Sequence, residues 1–174
     1  VLGWLEKAIY RFLSISPESE SNWKTYTKGL LLFNVIGLVF LFLLMVLQAF
    51  LPLNPANLPN ITWHTALNAA ISFVTNTNWQ SYSGEVTLSY LTQMAGLTVQ
   101  NFVSAATGLA ALAALMRGLA RQGASTVGNF WVDLVRSTLY ILLPLALVVA
   151  GLLVSQGVVQ TLQPAVTVPL LQGG

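Results

Sequence analysis

This sequence is short of the residues on which many kinds of protein chemistry depend. It has no cysteine among its 174 residues, and only 7% of its side chains are charged. The missing cysteines exclude disulfides, thiolate metal sites and thiol redox chemistry. Charged residues make up about 25% of an average soluble domain, so a fold surrounded by water on all sides is not expected.

Motifs for nucleotide and nucleic-acid chemistry are also missing. The seven Lys and Arg residues are divided among short segments and form no continuous stripe for phosphates. The sequence has no Gly-x-x-x-x-Gly-Lys-Ser/Thr loop, no Asp-Lys-Thr-Gly phosphorylation motif and no arrangement of Ser, Asp and His typical of a nucleophile. We therefore expect no nucleic-acid partner and no catalytic activity from this chain by itself.

Long apolar runs dominate what is present. Hydrophobic residues make up 55% of the chain, and the mean hydropathy is +0.72. A helix crosses a bilayer in about 20 residues, and three runs approach or exceed that length: residues 30–51, 86–116 and 137–154. Pro144 is expected to bend the third helix. The predicted fold is an all-α membrane protein with three transmembrane helices.

A polar segment, residues 68–85, separates the first two runs. No Asp, Glu, Lys or Arg occurs from residue 29 to residue 84, and the apolar stretch 61–74, with Thr62 as a candidate N-cap, is too short to cross the bilayer. Non-helical backbone is tolerated at membrane depth only where it is buried in protein or lines a water-filled path. Since Thr, Asn and Gln can position oxygens around a partly dehydrated cation, the pattern predicts a re-entrant pore loop.

The second run carries its polar residues on one helical face. At about 100° per residue, their offsets of 0, 7, 11 and 14 place them in one narrow stripe; they are Gln93, Gln100, Ser104 and Thr107. One interpretation is a helix lining a hydrated pore beside the loop. The other is ordinary hydrogen bonding between helices, supported by small residues that allow close helix approach.

Basic residues lie at the same end of all three spans, which by the positive-inside rule is the cytoplasmic end. The pore loop then enters from the outside. We predict a cytoplasmic amphipathic segment at 1–23, lying on the membrane surface or packed in an aqueous loop, and a helix–pore loop–helix repeat at 24–116. A cytoplasmic connector follows at 117–136, then the first helix of a next repeat and an external tail at 137–174.

Two local interactions are predicted at this end of the spans. Ser21 or Asn22 is expected to cap the first span. Asp133 and Arg136, three residues apart at the start of the third, are expected to form a local ion pair.

Several motifs of this chain form a specific set: residues 74–85 (VTNTNWQSYSGE), 51–55 (LPLNP), 93–102 (QMAGLTVQNF), 128–129 (GN) and 131–134 (WVDL). The set closely resembles the KdpA family, the potassium-binding subunits of bacterial Kdp potassium-transporting ATPases. The family belongs to a superfamily of potassium transporters with four helix–pore loop–helix repeats around one filter. The resemblance implies that this chain is the first repeat plus the opening helix of the second.

The resemblance also implies which residues bind the transported potassium ion. The filter would consist of Thr75, Asn76, Thr77 and Asn78, with their carbonyls facing the ion, and Gln80 would shape its outer end. Related channels have Gly where Asn76 and Asn78 stand. Because Asn tolerates left-handed backbone better than most residues, positive φ angles are expected at both.

The partners and location follow from the same resemblance. The chain would be a non-catalytic subunit in the bacterial inner membrane, a multi-pass protein in the lipid bilayer. A separate P-type ATPase catalytic subunit and small membrane-spanning subunits would accompany it. The alternative is a stand-alone cation channel or symporter of the same superfamily that has no ATPase partner.

Overall fold

The computed structural model of the protein describes residues 2–121, 123 and 125–163, so the last part of the predicted external tail lies outside the described residues. Within them, helices follow in the order α1 (Gly3–Phe12), α2 (Trp23–Leu47), α3 (Trp63–Val74), α4 (Gly84–Thr87), α5 (Val99–Ala120), α6 (Phe130–Arg136) and α7 (Leu143–Ser155). An isolated antiparallel bridge pairs Ser21 with Gly128.

Short helical segments of other types extend these helices into three long ones. A 3₁₀ turn, Gln48–Phe50, continues α2; a π-helix, Thr92–Thr98, leads into α5; and a second π-helix, Ser137–Leu142, joins α6 to α7. The resulting helices, Trp23–Phe50, Thr92–Ala120 and Phe130–Ser155, are long and apolar enough to cross a membrane. They confirm the predicted class of all-α membrane protein. The second π-helix ends just before Pro144, where a ring without an N–H disturbs the helical ladder.

The second span begins later than predicted. Val86 belongs to the one-turn helix α4, and Leu88 is extended, with φ −112° and ψ 134°. The new helix starts because the Ser89 hydroxyl accepts a hydrogen bond from the Thr92 N–H at 3.2 Å and lies 3.0 Å from the Thr92 hydroxyl. A hydroxyl that satisfies a free N–H of the first turn is the ordinary chemistry of an N-cap. The predicted start at residue 86 was therefore wrong.

The helix starts predicted from side-chain chemistry agree with the structure in two places. Asn22 is the N-cap of α2, and its side chain accepts a hydrogen bond from the Thr25 N–H at 2.9 Å. Thr62 occupies the N-cap position of α3. Its hydroxyl, however, donates to Thr65 Oγ1 at 3.0 Å and makes no capping bond to the backbone.

Two apolar clusters hold the spans together. One lies where α3 packs against α2, around the fully buried Leu41, Met45, Ala66 and Ala70. The other lies nearer the start of α2, where Tyr26 and Phe130 surround the fully buried Ala106 and Ala110 of α5. Small residues at this second contact let the helix backbones approach closely. Large apolar side chains remain exposed along α2 and throughout α7, as expected of surfaces that face lipid or further protein.

The amphipathic helix α1 lies against the third span through one carboxylate. Glu6 Oε1 accepts hydrogen bonds from Arg136 Nε and from the Tyr10 hydroxyl, each at 2.8 Å, and Glu6 Oε2 accepts one from the Tyr140 hydroxyl at 2.6 Å. Trp4 and Phe12 of the same helix are 70% and 88% exposed. The helix is thus held by a polar contact and keeps an apolar surface free.

Candidate functional site

The segment that follows α3 directs its backbone N–H groups toward the end of that helix. The Thr77 and Asn78 N–H groups donate to Ser72 O at 2.9 and 3.2 Å, and the Asn76 N–H donates to Phe73 O at 3.3 Å. The Trp79 N–H donates to the Ser72 hydroxyl at 2.6 Å. Four consecutive N–H groups are therefore satisfied from the α3 side.

The carbonyl oxygens of the same segment are left available. Among the described residues, no hydrogen bond is accepted by the carbonyls of Thr75, Asn76, Thr77 or Asn78. Polar backbone atoms at membrane depth must find a partner, and a row of carbonyls is what replaces the hydration shell of potassium in a filter. The free carbonyls of residues 75–78 are compatible with the predicted cation filter, which stays a prediction.

Two residues in the left-handed conformation make this backbone path of residues 75–78 possible. Asn76 has φ 59° and Asn78 has φ 58°, as predicted for residues standing where related channels have glycine. A left-handed residue costs most side chains about 1–2 kcal/mol, whereas Asn visits this region routinely. The alternation of left-handed and ordinary residues turns the chain so that N–H groups face α3 while carbonyls remain free.

The side chains of this segment lie at the surface of the described chain. Thr75, Asn76, Thr77, Asn78 and Gln80 are all exposed. The Thr75 hydroxyl donates to Ile71 O at 3.0 Å and lies 3.0 Å from the Thr77 hydroxyl, so both hydroxyls lie near the end of α3. The Gln80 amide lies 3.5 Å from the Tyr82 hydroxyl, further along the loop.

The four polar residues of the second span have different surroundings. Ser104 contacts the proposed filter residues, with its hydroxyl 3.2 Å from Asn76 Oδ1. The Thr107 hydroxyl donates to Val103 O of its own helix at 2.9 Å. Gln93 donates to Leu88 O at 2.9 Å and to Gly84 O at 3.3 Å, next to the break before this span.

Gln100 lies between the second span and α2. It is 4% exposed, and its Nε2 has no hydrogen-bond partner among the described residues. A methyl group on Gly37 would lie 2.7 Å from Gln100 Oε1, so a larger residue at position 37 would displace the end of the Gln100 side chain. The structure thus brings Ser104 to the loop, and the pore-lining role of Gln93, Gln100, Ser104 and Thr107 stays a prediction.

Two residues, one that holds the loop and one that joins the segments on either side of it, were missed by the sequence reasoning. Ser72 accepts hydrogen bonds from three of the four N–H groups described above, two through its carbonyl and one through its hydroxyl. Gln48 is fully buried, and its amide donates to Pro59 O and Thr87 O at 2.6 and 2.8 Å while accepting from the Ser89 N–H at 3.1 Å. Gln48 could have been singled out, since it is the one polar side chain of the first span after Asn34.

A charged cluster joins the three spans at their other end. Arg117 makes a bidentate ion pair with Asp133, at 2.5 and 2.7 Å, and also donates to Val127 O at 3.1 Å. The Tyr26 hydroxyl lies 2.9 Å from Asp133 Oδ2. The predicted local pair of Asp133 with Arg136 is wrong, because Arg136 instead pairs with Glu6 at 2.8 Å.

Gly128 makes room for this cluster. Its φ is 105°, and a side chain there would collide with the Arg117 guanidinium. Its carbonyl accepts hydrogen bonds from the Ser21 N–H and hydroxyl, each at 2.8 Å. The Gly-Asn motif at residues 128–129 is thus placed where the connector meets the start of α2.

Comparison with known proteins identifies the family. The KdpA family model, described as "Potassium-transporting ATPase A subunit", matches residues 1–174. The chain belongs to the KdpA family. Two relatives are each named "Potassium-transporting ATPase potassium-binding subunit". One, from Herpetosiphon aurantiacus, is 61% identical over 170 residues, covering 98% of this chain and 29% of the relative. The other, from Pseudomonas entomophila, is 60% identical over 173 residues, covering 99% of this chain and 31% of the relative.

The chain therefore spans about three-tenths of the length of these KdpA relatives. Their names describe a subunit of an ATPase, which supports the predicted ATPase-subunit class and gives no support to a stand-alone channel or symporter. Membership in KdpA also agrees with the three apolar helices, which support a membrane protein.

Proposed function

We propose that this chain supplies one quarter of an outward-facing potassium filter in the potassium-binding and translocating subunit of an ATP-driven uptake complex. The observation that carries the proposal is the backbone of residues 75–78. Its N–H groups are satisfied from α3, while the carbonyls of Thr75, Asn76, Thr77 and Asn78 accept no described hydrogen bond. The family match and the relatives' names support potassium as the ion.

The mechanism follows from replacing water by carbonyl oxygens. A potassium ion loses part of its hydration shell as it enters, and carbonyls from this loop and from the other repeats take the place of those waters. The short helix α3 ends directly before the loop, so the negative end of its dipole favours a cation there. Gln80, exposed at the far end of the segment, would shape the outer side of the filter.

The setting of the complex is part of the proposal. The catalytic P-type ATPase subunit would be a separate protein, accompanied by small membrane-spanning subunits, in the bacterial inner membrane. The relatives' names support an ATPase complex. The basic residues at one end of the spans support a cytoplasmic location for that end.

The test uses a full-length relative in which this chain replaces the matching segment, assembled with the relative's own partner subunits; we call it the chimera. We expect the chimera to restore saturable potassium uptake in bacteria without other potassium importers. Uptake should need the catalytic subunit and resist competition by sodium. An assembled chimera that transports sodium as well as potassium, or that works without the ATPase, would contradict the proposal.

A further inference from the structure

We propose that two buried serines that contact the loop from different helices, Ser72 of α3 and Ser104 of α5, are positioning residues that set the ion selectivity of residues 75–78. The inference rests on the proposed filter function. Ser72 would fix the backbone at the outer end of the segment, and Ser104 would fix the side chain of Asn76. Neither serine needs to touch the ion.

Ser72 holds the loop through two different groups. Its carbonyl accepts the Thr77 and Asn78 N–H groups, and its hydroxyl accepts the Trp79 N–H at 2.6 Å. Ser72 itself is 8% exposed, so the accepting side of these bonds is sheltered from water. A change to alanine would keep the carbonyl and remove only the hydroxyl, which isolates the bond to Trp79.

Ser104 holds the loop from the second span. It is 4% exposed, and its hydroxyl lies 3.2 Å from Asn76 Oδ1 and 3.3 Å from Asn101 O. The Ser104 hydroxyl has a single proton, so it can make a good hydrogen bond to only one of these two acceptors. If the Asn76 amide is turned over, which exchanges its O and N, Nδ2 donates to Ser104 Oγ and the Ser104 hydroxyl donates to Asn101 O. The contact between Ser104 and Asn76 stands in both arrangements.

The two contacts flank the left-handed residues. Asn76 is tied through its side chain to α5, and Asn78 lies between residues whose N–H groups go to Ser72. In the account of selectivity that rests on cavity size, carbonyls that resist moving inward discriminate potassium from a smaller ion. A loop that keeps only one of the two contacts would shift more readily toward a smaller ion, so we expect the loss of either contact to weaken selectivity.

The experiment compares Ser72→Ala, Ser104→Ala and the double variant in the chimera, with Ser137→Ala as the matched control. Ser137 is also a buried serine, at 8% exposure, but it lies on the third span. We expect each single variant to raise the half-saturating potassium concentration about tenfold and to lower the preference for potassium over sodium. The maximal rate and complex yield should stay within about twofold. A tenfold change corresponds to about 1.4 kcal/mol.

The conservative variant separates positioning from general damage. Ser104→Thr keeps the hydroxyl, so it should retain most of the potassium preference that Ser104→Ala loses. If an alanine variant assembles poorly, Ser72→Cys or Ser104→Cys fills the same space with a weaker hydrogen-bonding group and gives the same readout. Unchanged half-saturation and selectivity in the assembled variants, or a loss of maximal rate alone, would overturn the inference. Loss of potassium preference in the unsubstituted chimera would instead overturn the proposed function.

Discussion

At the scale of single residues, the loop depends on backbone conformations that few side chains accept. Asn76 and Asn78 are both left-handed, with φ 59° and 58°. The alternation could be predicted because the motif has Asn where a symmetrical filter would have Gly. What the sequence did not reveal is how the conformation is held, since Ser72 looks like any other small residue of a short helix.

Substitutions at Asn78 test whether backbone or side chain matters. Gly accepts positive φ freely, whereas Ala in this conformation costs about 1–2 kcal/mol. We expect Asn78→Ala in the chimera to raise the half-saturating potassium concentration roughly tenfold, since 1.4 kcal/mol corresponds to one decade. Asn78→Gly should stay close to the unsubstituted protein. Equal losses in the two variants would show that the Asn78 amide group is what the filter needs.

A positive charge at Gln80 tests whether this side chain lies near the ion path. At about 5 Å and an effective dielectric constant of about 20, repulsion between two unit charges is about 3 kcal/mol. We expect Gln80→Arg to weaken the apparent potassium affinity roughly a hundredfold while the complex still assembles. Gln160→Arg, at an exposed position beyond α7, is the control. The test measures potassium uptake as a function of the external potassium concentration. An unchanged half-saturating concentration would show that Gln80 is not part of the filter.

At the scale of elements, buried polar side chains fix how the helices meet. Tyr26 of α2, Arg117 of α5 and Asp133 of α6 form one cluster, with the Arg117 and Asp133 side chains 31% and 8% exposed. An ion pair this sheltered is costly to break, because removal of one partner leaves the other charge without compensation. The cluster joins all three spans and so sets their arrangement at this end.

A double-mutant cycle measures this cluster. We expect Arg117→Met or Asp133→Leu alone to lower the free energy of unfolding by roughly 3 kcal/mol, and the double variant to lose less than the sum. The exposed pair of Arg121 and Glu20, at 42% and 41% exposure, provides the control, and Arg121→Met should cost less than about 1 kcal/mol. Thermal unfolding of the purified chimera gives the comparison. Additive losses at Arg117 and Asp133 would contradict the coupling.

The contact of α1 with the third span should depend on pH. Hydrogen bonds from Tyr140, then from Arg136, lower the pKa of Glu6 from 4.5 to about 2. The folded state therefore binds the Glu6 proton less readily than the unfolded state, so the stabilisation is complete above pH 4.5 and disappears as the pH falls toward 2. We expect the stability difference between the chimera and its Glu6→Gln variant to shrink over this range. A difference that stays constant from pH 6 to pH 3 would rule out this role for the carboxylate.

At the scale of the whole molecule, local patterns predicted more than distant contacts. Patterns among neighbouring residues predicted the three spans, the short helix before the loop and the Asn22 cap. The structure contains all of these features. The pairing of Glu6 with Arg136 joins residues 130 positions apart, and that of Glu20 with Arg121 joins residues 101 apart. Such partners depend on how the helices pack. The same reason explains the wrong pairing predicted for Asp133, whose nearest charge in sequence is not its nearest charge in space.

The orientation of the molecule in the membrane is predicted from its charge and can be measured directly. Ala56 lies in the exposed loop between α2 and α3, and Arg121 lies in the connector after α5; both are exposed. The sequence has no cysteine, so Ala56→Cys and Arg121→Cys each introduce a single thiol to the chain. Basic residues at one end of the spans predict that this end lies in the cytoplasm. In intact cells, we expect a membrane-impermeant thiol reagent to label the chimera at position 56 but not at position 121, with any cysteines of the relative removed. Labelling at position 121 alone would show that the orientation is the reverse of the predicted one. Residues 75–78 would then face the cytoplasm and could not be the entrance of an uptake filter.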